Sequence, residues 1–123
     1  MANKRTVDLI TEAFSDVMPA RRKYELKKPN GDLLKEIYFP PLTRFDRKRA
    51  QVAAGTDDAL TISTKLLCQI AENEDGSKAF HSADAENLQR FLPESVLNEL
   101  ELFMMDIQVD LDTAKNESSE ITG

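Results

Sequence analysis

The feature that most constrains the fold is the helical spacing of apolar residues, in segments that prolines and glycines separate. The clearest such segment is PESVLNELELFMMDIQVDLD, which begins at Pro93. At 100° per residue, one broad face of this segment is apolar, as a helix packed on a core requires. That face carries Val96, Leu97, Leu100, Phe103, Met104, Ile107 and Leu111. We therefore predict a helix from Pro93 to about Leu111.

Four shorter segments show the same spacing and predict four more helices. They run from Thr6 to Met18, from Thr43 to about Ala53, from Asp58 to about Ala71, and from Ser82 to about Leu92. Threonine, aspartate and serine at these starts can cap the backbone N–H groups of the first turn.

A β-hairpin is predicted near residues 23–39. Pro29-Asn30-Gly31-Asp32 is a strong turn signal between two short arms that carry aromatic and branched residues. A lone two-stranded hairpin is marginal in water, so this one must lie on helices or pair with another chain. The predicted fold is mainly α, with about five helices and one short hairpin.

Length and composition fit one small domain. A chain of 123 residues with 41% hydrophobic and 31% charged residues is ordinary for a soluble globular protein. We expect a single helical domain over residues 1–115 and a disordered polar tail, NESSEITG, over residues 116–123. No run approaches the ~18 apolar residues of a membrane span, and no leader sequence is evident, so we expect a cytoplasmic protein.

Charge is distributed unevenly between the two parts of the chain. Residues 1–50 carry 12 Lys/Arg and 7 Asp/Glu, whereas residues 51–123 carry 4 and 15. Such asymmetry fits a nucleic-acid arm, or copies of one protein that meet basic end to acidic end. Solvated faces without a partner are the third interpretation.

The segment LTRFDRKRAQ holds the densest basic cluster, formed by Arg44, Arg47, Lys48 and Arg49. On a short helix these side chains could neutralise phosphates, as in a small nucleic-acid-associated regulatory protein. Against this, the sequence pI is about 4.8, and no recognition-helix pattern or aromatic stacking platform accompanies the cluster. Nucleic-acid binding is the alternative hypothesis, and a charge-mediated protein contact is the other role for these residues.

The stretch LLCQIAENEDGSKAF, residues 66–80, contains the only cysteine and half of a calcium-loop pattern. Placing Gly76 at the sixth position of such a loop leaves the first aspartate and the final bidentate glutamate missing. Cys68 and His81 alone supply too few ligands for zinc and lack an orienting third group for nucleophilic catalysis. We predict a helix, a turn and a helix here, with no metal, no cofactor and no catalytic site.

The helix after Pro93 carries a second, narrower apolar stripe. Leu102, Met105 and Val109 stand nearly opposite the first face, framed by Glu99, Glu101, Asp106 and Asp110. Either the chain itself covers both sides of this helix, or the narrow stripe docks a partner helix. We predict that Leu102, Met105 and Val109 bind a partner.

Three stretches occur in an order that resembles the tail assembly chaperones of long-tailed, siphovirus-type bacteriophages. They are PNGDLLKEIYFPPLTRFDRKRAQ, LLCQIAENEDGSKAFHSADAENLQRFL and PESVLNELELFMMDI. The shared features are the PLT element before the basic helix, the helix that ends in acidic residues and DG, the capped AFHSAD turn and the terminal amphipathic helix. The resemblance covers roughly residues 24 to 111.

The resemblance implies a non-enzymatic protein of the host bacterial cytoplasm that is absent from the mature virion. Such chaperones bind the tape measure protein, keep its long helical chain soluble, and are displaced as tail tube protein polymerises around it. Members of the family self-associate, so the resemblance implies a homo-oligomer. It transfers no binding motif, and the candidate residues above come from their physical chemistry alone.

Overall fold

The computed structural model describes residues 4–106, in which five helices and one antiparallel hairpin follow one another. The elements are α1 (Thr6–Ala13), β1 (Arg22–Lys27), β2 (Leu33–Phe39), α2 (Arg44–Ala54), α3 (Ala59–Ile70), α4 (Asp84–Phe91) and α5 (Glu94–Met104). The prediction of a mainly α fold with one short hairpin is confirmed. The predicted continuation of the last helix to Leu111 and the predicted polar tail at 116–123 lie outside the described residues.

The hairpin turn forms where the sequence predicts it. The Lys28 N–H donates to the Asp32 carbonyl at 2.7 Å, and the Asp32 N–H donates to the Asn30 side-chain oxygen at 3.0 Å. Gly31 has a φ of 94°, a conformation that glycine adopts without a steric penalty. The turn therefore depends on local chemistry that is visible in the sequence.

The hairpin lies against the helices of its own chain. Ile37 and Phe39 are buried on β2, and the ring of Phe103 from α5 meets Phe39 at 5.7 Å and Tyr24 at 5.0 Å between centroids. Tyr38 also exchanges two backbone hydrogen bonds of 2.9 Å with Glu72, which follows α3. These contacts supply the support that a two-stranded hairpin needs.

Helix α3 is central, because it packs against α2, α4 and α5. One cluster of buried side chains joins the hairpin to these helices: Ile37, Phe39, Ala50, Leu66, Leu67, Ile70, Ala71, Leu97, Leu100 and Met104. Full burial of a large apolar side chain contributes about 1.5–3 kcal/mol, so this cluster is the main source of stability.

Helix α2 begins and ends as predicted. Thr43 and Asp46 form a capping box, in which each side chain accepts the backbone N–H of the other at 3.0–3.1 Å. Gly55 ends the helix in the left-handed conformation. Asp58 then caps α3 by accepting the Thr61 N–H at 3.0 Å.

The start of α4 differs from the prediction. Ser82 does not cap it; Ala83 occupies the N-cap position without a side-chain hydrogen bond. The carboxylate of Asp84 instead accepts the His81 N–H at 2.8 Å, which closes a turn before the helix. This hydrogen bond involves a residue before α4, so it stabilises the preceding turn and does not replace the side-chain cap that the sequence assigned to Ser82.

Helix α1 is shorter than predicted and begins after Arg5, not with Thr6 as N-cap. It ends at Ala13, and residues 14–18 form successive turns before Pro19. No residue of α1 is buried. A helix of two turns is marginal in water unless other parts of the chain pack on it. The absence of such packing explains why α1 ends at Ala13 and does not continue to Met18 as predicted.

Among residues 4–106, no helix is long and apolar enough to cross a membrane.

We expect Phe39→Ala to lower the free energy of unfolding by about 3–5 kcal/mol, because it leaves a cavity between the hairpin and the helices. Phe39 is fully buried, whereas Phe91 is 79% exposed. The matched deletion Phe91→Ala should change stability by no more than about 0.5 kcal/mol. Urea denaturation followed by circular dichroism measures both; equal effects of the two variants would contradict the assignment of the core.

Candidate partner-binding surfaces

The loop after α3 is a turn, as predicted. The Asp75 carboxylate accepts hydrogen bonds from the N–H and the hydroxyl of Ser77, at 2.9 and 2.6 Å, and these bonds lower the pKa of Asp75. The acidic residue that suggested a calcium ligand thus stabilises its own turn. Within residues 4–106, no three His, Cys, Asp or Glu side chains are placed to hold a metal ion.

Cys68 and His81 have different environments. The Cys68 side chain is buried in α3, and burial raises the pKa of its thiol to about 11, with the nearby Asp84 as the next cause. His81 is exposed. A thiol that stays protonated near neutral pH is a poor nucleophile, so this pair offers no activated cysteine.

Two arginines at the start of the hairpin, Arg21 and Arg22, have structural roles. The Arg22 guanidinium donates to the carbonyls of Phe103 and Met104 at 2.6 and 3.1 Å, and it lies 4.5 Å from the Phe103 ring centroid. It therefore adds hydrogen bonds to carbonyl groups at the C-terminal end of α5, one of which, that of Phe103, also accepts the Asp106 N–H at 3.1 Å.

Arg21 is engaged in the same way at the turn after α3. Its guanidinium donates to the carbonyls of Asn73 and Glu74 at 3.0 and 2.9 Å, and it lies 4.8 Å from the Tyr38 ring centroid. Arg21 and Arg22 bind backbone carbonyls of the same chain, so the basic surface that can meet a partner is smaller than the sequence suggests.

The exposed basic cluster is on α2. Arg44, Arg47, Lys48 and Arg49 are all exposed there. Phe45 and Val52, seven residues apart, form an apolar stripe on the outer face and are 67% and 82% exposed. Lys48 and Arg49 flank this stripe, while Arg47 points about 140–160° away from it at 100° per residue.

A shallow groove follows this stripe. It has a volume of about 450 Å³ and is lined by Phe45, Lys48, Arg49, Val52, Ala53 and Gln69. The Arg49 guanidinium lies 6.0 Å from the Phe45 ring centroid. The sequence identified the charges of this cluster but not the aromatic side chain exposed between them.

The predicted partner-binding stripe on α5 is only partly described. Leu102 and Met105 are half-buried, and Met105 packs against the core cluster. Val109 lies outside the described residues. Of the two described members of this stripe, Leu102 can therefore be changed with less disturbance of the core than Met105.

Glu101, which we expected to frame that stripe in water, is 7% exposed. The Thr64 hydroxyl donates to its carboxylate at 2.8 Å, and the Gln89 amide donates to the Thr64 oxygen at 3.1 Å. Burial raises the pKa of Glu101, and the hydrogen bond from Thr64 opposes this shift. The carboxylate lines a groove of about 380 Å³ between α3, α4 and α5.

Among residues 4–106, the most numerous group of exposed large apolar side chains belongs to α1 and the turns after it. Six large side chains there are each at least 41% exposed: Val7, Leu9, Ile10, Phe14, Val17 and Met18. The amphipathic pattern in the sequence identified these residues as one face. It gave no sign that the rest of the chain leaves this face open.

We predict that Glu101→Gln becomes more stable relative to the wild type as pH rises from 4 to 7. A raised carboxyl pKa in the folded state means that ionisation destabilises the fold as pH rises through the unfolded pKa of about 4.3. Glutamine does not ionise, so it has no such cost, and its side-chain carbonyl oxygen can still accept the hydrogen bond from the Thr64 hydroxyl. Urea denaturation at several pH values tests this, with Glu74→Gln as a control for loss of one exposed charge; a constant difference between Glu101→Gln and wild type would contradict it.

Comparison with known proteins finds a solved structure that is similar to this chain. No protein-family model matches the sequence, and no curated protein matches it. Among solved structures, the chain is similar to the tail assembly chaperone of bacteriophage HK97, with a TM-score of 0.48 and 13% sequence identity over 81% of this chain and 97% of that chain.

Proposed function

We propose that this protein is a bacteriophage tail assembly chaperone that binds the tape measure protein and promotes assembly of the tail tube. It acts without catalysis or a cofactor, in the cytoplasm of the host bacterium, and leaves before the virion is complete. It also associates with copies of itself. The order of sequence elements described above supports this class of protein, and the surface chemistry supports the mode of action.

The observation that carries the proposal is the apolar area left open on the surface. Twelve large hydrophobic side chains among the described residues are more than 40% exposed, and half of them belong to residues 7–18. Contiguous apolar surface of this kind marks sites of protein contact. A long apolar helical client such as a tape measure protein needs adaptable apolar surfaces of this kind to stay dispersed.

We assign client binding to the stripe of Leu102, Met105 and Val109. Leu102 and Met105 are half-buried at the end of α5, where methionine offers a flexible apolar contact. Covering Leu102 and Met105 contributes a few kcal/mol at most, because each gains only part of the about 1.5–3 kcal/mol of full burial. A contact of that strength can be displaced when tail tube subunits polymerise on the same client.

Co-expression tests the proposed function. We expect the tape measure protein of the same phage to appear in the soluble fraction and to co-elute with this chain when both are produced together. Produced alone, the tape measure protein should aggregate. Equal solubility of the tape measure protein with and without this chain would refute the proposal.

Leu102→Glu should weaken retention of the tape measure protein roughly tenfold or more, since a charge replaces part of the apolar contact. Its thermal melt should stay close to that of the wild type because Leu102 is outside the core cluster. Met105→Glu should lower the melting temperature, since Met105 packs on the core.

Leu102→Met is the matched control for this experiment, because it keeps an apolar side chain of similar volume. Its retention of the tape measure protein should equal that of the wild type. A collapsed melt for Leu102→Glu would instead show that the stripe belongs to the core.

The second candidate function is nucleic-acid binding through α2. The observation in its favour is the exposed Phe45 ring between Lys48 and Arg49, an arrangement on which a base can stack. Retardation of a DNA or RNA fragment that weakens steeply with salt would support this function. If the protein does not retard a DNA or RNA fragment at low salt but does co-elute with the tape measure protein, nucleic-acid binding is excluded and the chaperone function is supported.

A further inference from the structure

We propose that the groove between α3, α4 and α5 binds a lysine side chain of the client, with the lysine ammonium group paired to the Glu101 carboxylate. This inference rests on the proposed function and adds a charged anchor to the apolar contact at the end of α5. The groove has a volume of about 380 Å³, within the range of sites that hold a small ligand or a side chain.

All charged side chains that line the groove are acidic: they are Asp58, Glu94 and Glu101. Asp58 is already engaged in capping α3, where it accepts the N–H and the hydroxyl of Thr61 at 3.0 and 2.6 Å. Glu94 is exposed at the start of α5. Glu101 is the carboxylate that the fold buries, and a buried carboxylate without a cation is costly.

Glu101 keeps one carboxylate oxygen available to a ligand. Its Oε2 atom accepts the Thr64 hydroxyl at 2.8 Å, whereas no hydrogen bond from residues 4–106 reaches Oε1. No polar side-chain atom in this part of the chain is both buried and without a partner. The Oε1 atom is therefore accessible from the groove, although only 7% of the Glu101 surface is exposed.

The cations of the neighbouring helices are engaged elsewhere. The Lys65 ammonium on α3 donates to the Ser82 carbonyl at 3.1 Å, and the Arg90 guanidinium on α4 pairs with Glu86 at 2.7 Å. Among residues 4–106, no lysine or arginine lines the groove. A cation that pairs with Glu101 must therefore come from outside this part of the chain.

The shape of the groove suits an alkylammonium group. Leu60, Leu92 and Leu97 line it, and the methylene groups of a lysine can lie along such apolar walls. Glu94 and Glu101, seven residues apart on α5, are separated by about 10 Å along the helix axis, so they do not converge as metal ligands do. One free carboxylate oxygen matches an ammonium group, whereas an arginine pairs best with two.

The groove continues into the stripe that we assign to client binding. Asn98 and Glu101 line the groove, and Leu102 and Met105 follow them by four residues each. Residues four apart are neighbours on the surface of a helix. A client helix that covers Leu102 and Met105 therefore passes the groove and can place a lysine in it.

NMR titration with n-butylammonium chloride, which reproduces the end of a lysine side chain, tests the site without the client. The amide signals of Glu101, Thr64 and Gln89 should shift in a saturable way. Glu101→Gln should bind this probe at least tenfold more weakly, because a hydrogen bond to a charged group is lost. Glu74→Gln, which removes an exposed carboxylate outside the groove, should bind it like the wild type.

The chemistry of the probe provides a second control. Butan-1-ol has a similar length but no charge, and it should cause no saturable shift of these signals. Equal binding of n-butylammonium by the wild type and Glu101→Gln would overturn the inference. Tighter binding of n-butylguanidinium than of n-butylammonium would assign the groove to arginine and overturn it as well.

Retention of the tape measure protein tests the source of the lysine. Glu101→Gln should retain it at least tenfold more weakly at pH 7, although this variant should be no less stable than the wild type. A purely structural role for Glu101 predicts unchanged retention in a variant that stays folded. Asn98→Lys, which supplies an ammonium group within the groove, should also weaken retention, whereas Asn98→Gln should not.

The remaining outcomes separate this inference from the proposed function. If Glu101→Gln retains the tape measure protein as the wild type does, the proposed function stands and the inference fails. If n-butylammonium binds at Glu101 but the wild type does not retain the tape measure protein, the ammonium site holds and the proposed function fails. Shifted Glu101 signals in Lys115→Gln without added ligand would assign the groove to this chain's own lysine and overturn the inference.

Discussion

The fold depends on the burial of one side of a two-stranded hairpin against helices that come later in the chain. Ile37 and Phe39 are the side chains that enter the core, and Phe103 meets the hairpin from α5. Arg22 strengthens the same junction, because its guanidinium binds the last carbonyl groups of α5 while its own strand pairs with β2. Without this junction the hairpin would be too small to persist, and α5 would lose the ring contacts of Phe103 and the hydrogen bonds from Arg22 to its last carbonyl groups.

This arrangement separates the residues that stabilise the fold from those that can meet a partner. The core is built from the hairpin, α3, the inner faces of α2 and α5, and little else. Helix α1 contributes no buried residue, and the outer face of α2 presents Phe45 and Val52 to solvent. Substitutions on α1 or on this outer face therefore leave the core cluster unchanged.

Much of the fold follows from local chemistry in the sequence. The Asn30-Gly31 turn, the Thr43 cap and the Gly55 stop are each determined by a few adjacent residues, and the structure shows all three. Other features, such as the burial of Glu101, depend on contacts between distant parts of the chain. Glu101 appears solvent-facing on a helical wheel, but Thr64, which lies 37 residues earlier, buries it by packing and a hydrogen bond.

The candidate binding surfaces were likewise predictable from the sequence only in part. The sequence identified Arg44, Arg47, Lys48 and Arg49 as accessible cations, and they are exposed. It could not separate them from Arg21 and Arg22, whose partners are carbonyl groups about 50 and 80 residues away. It also could not show that the apolar face of α1 stays open, since helical periodicity records which residues share a face but not whether anything covers it.

The strength of contacts that the exposed surfaces can make agrees with the proposed function, which requires reversible binding. Contacts between exposed charges contribute little at physiological salt, typically below about 1 kcal/mol per pair, and half-exposed apolar side chains gain only part of their full burial energy. Several such contacts together hold a partner, but none of them approaches the stability of the buried cluster around Phe39. A protein built this way can release its partners without unfolding, because the energy of binding and the energy of folding come from different residues.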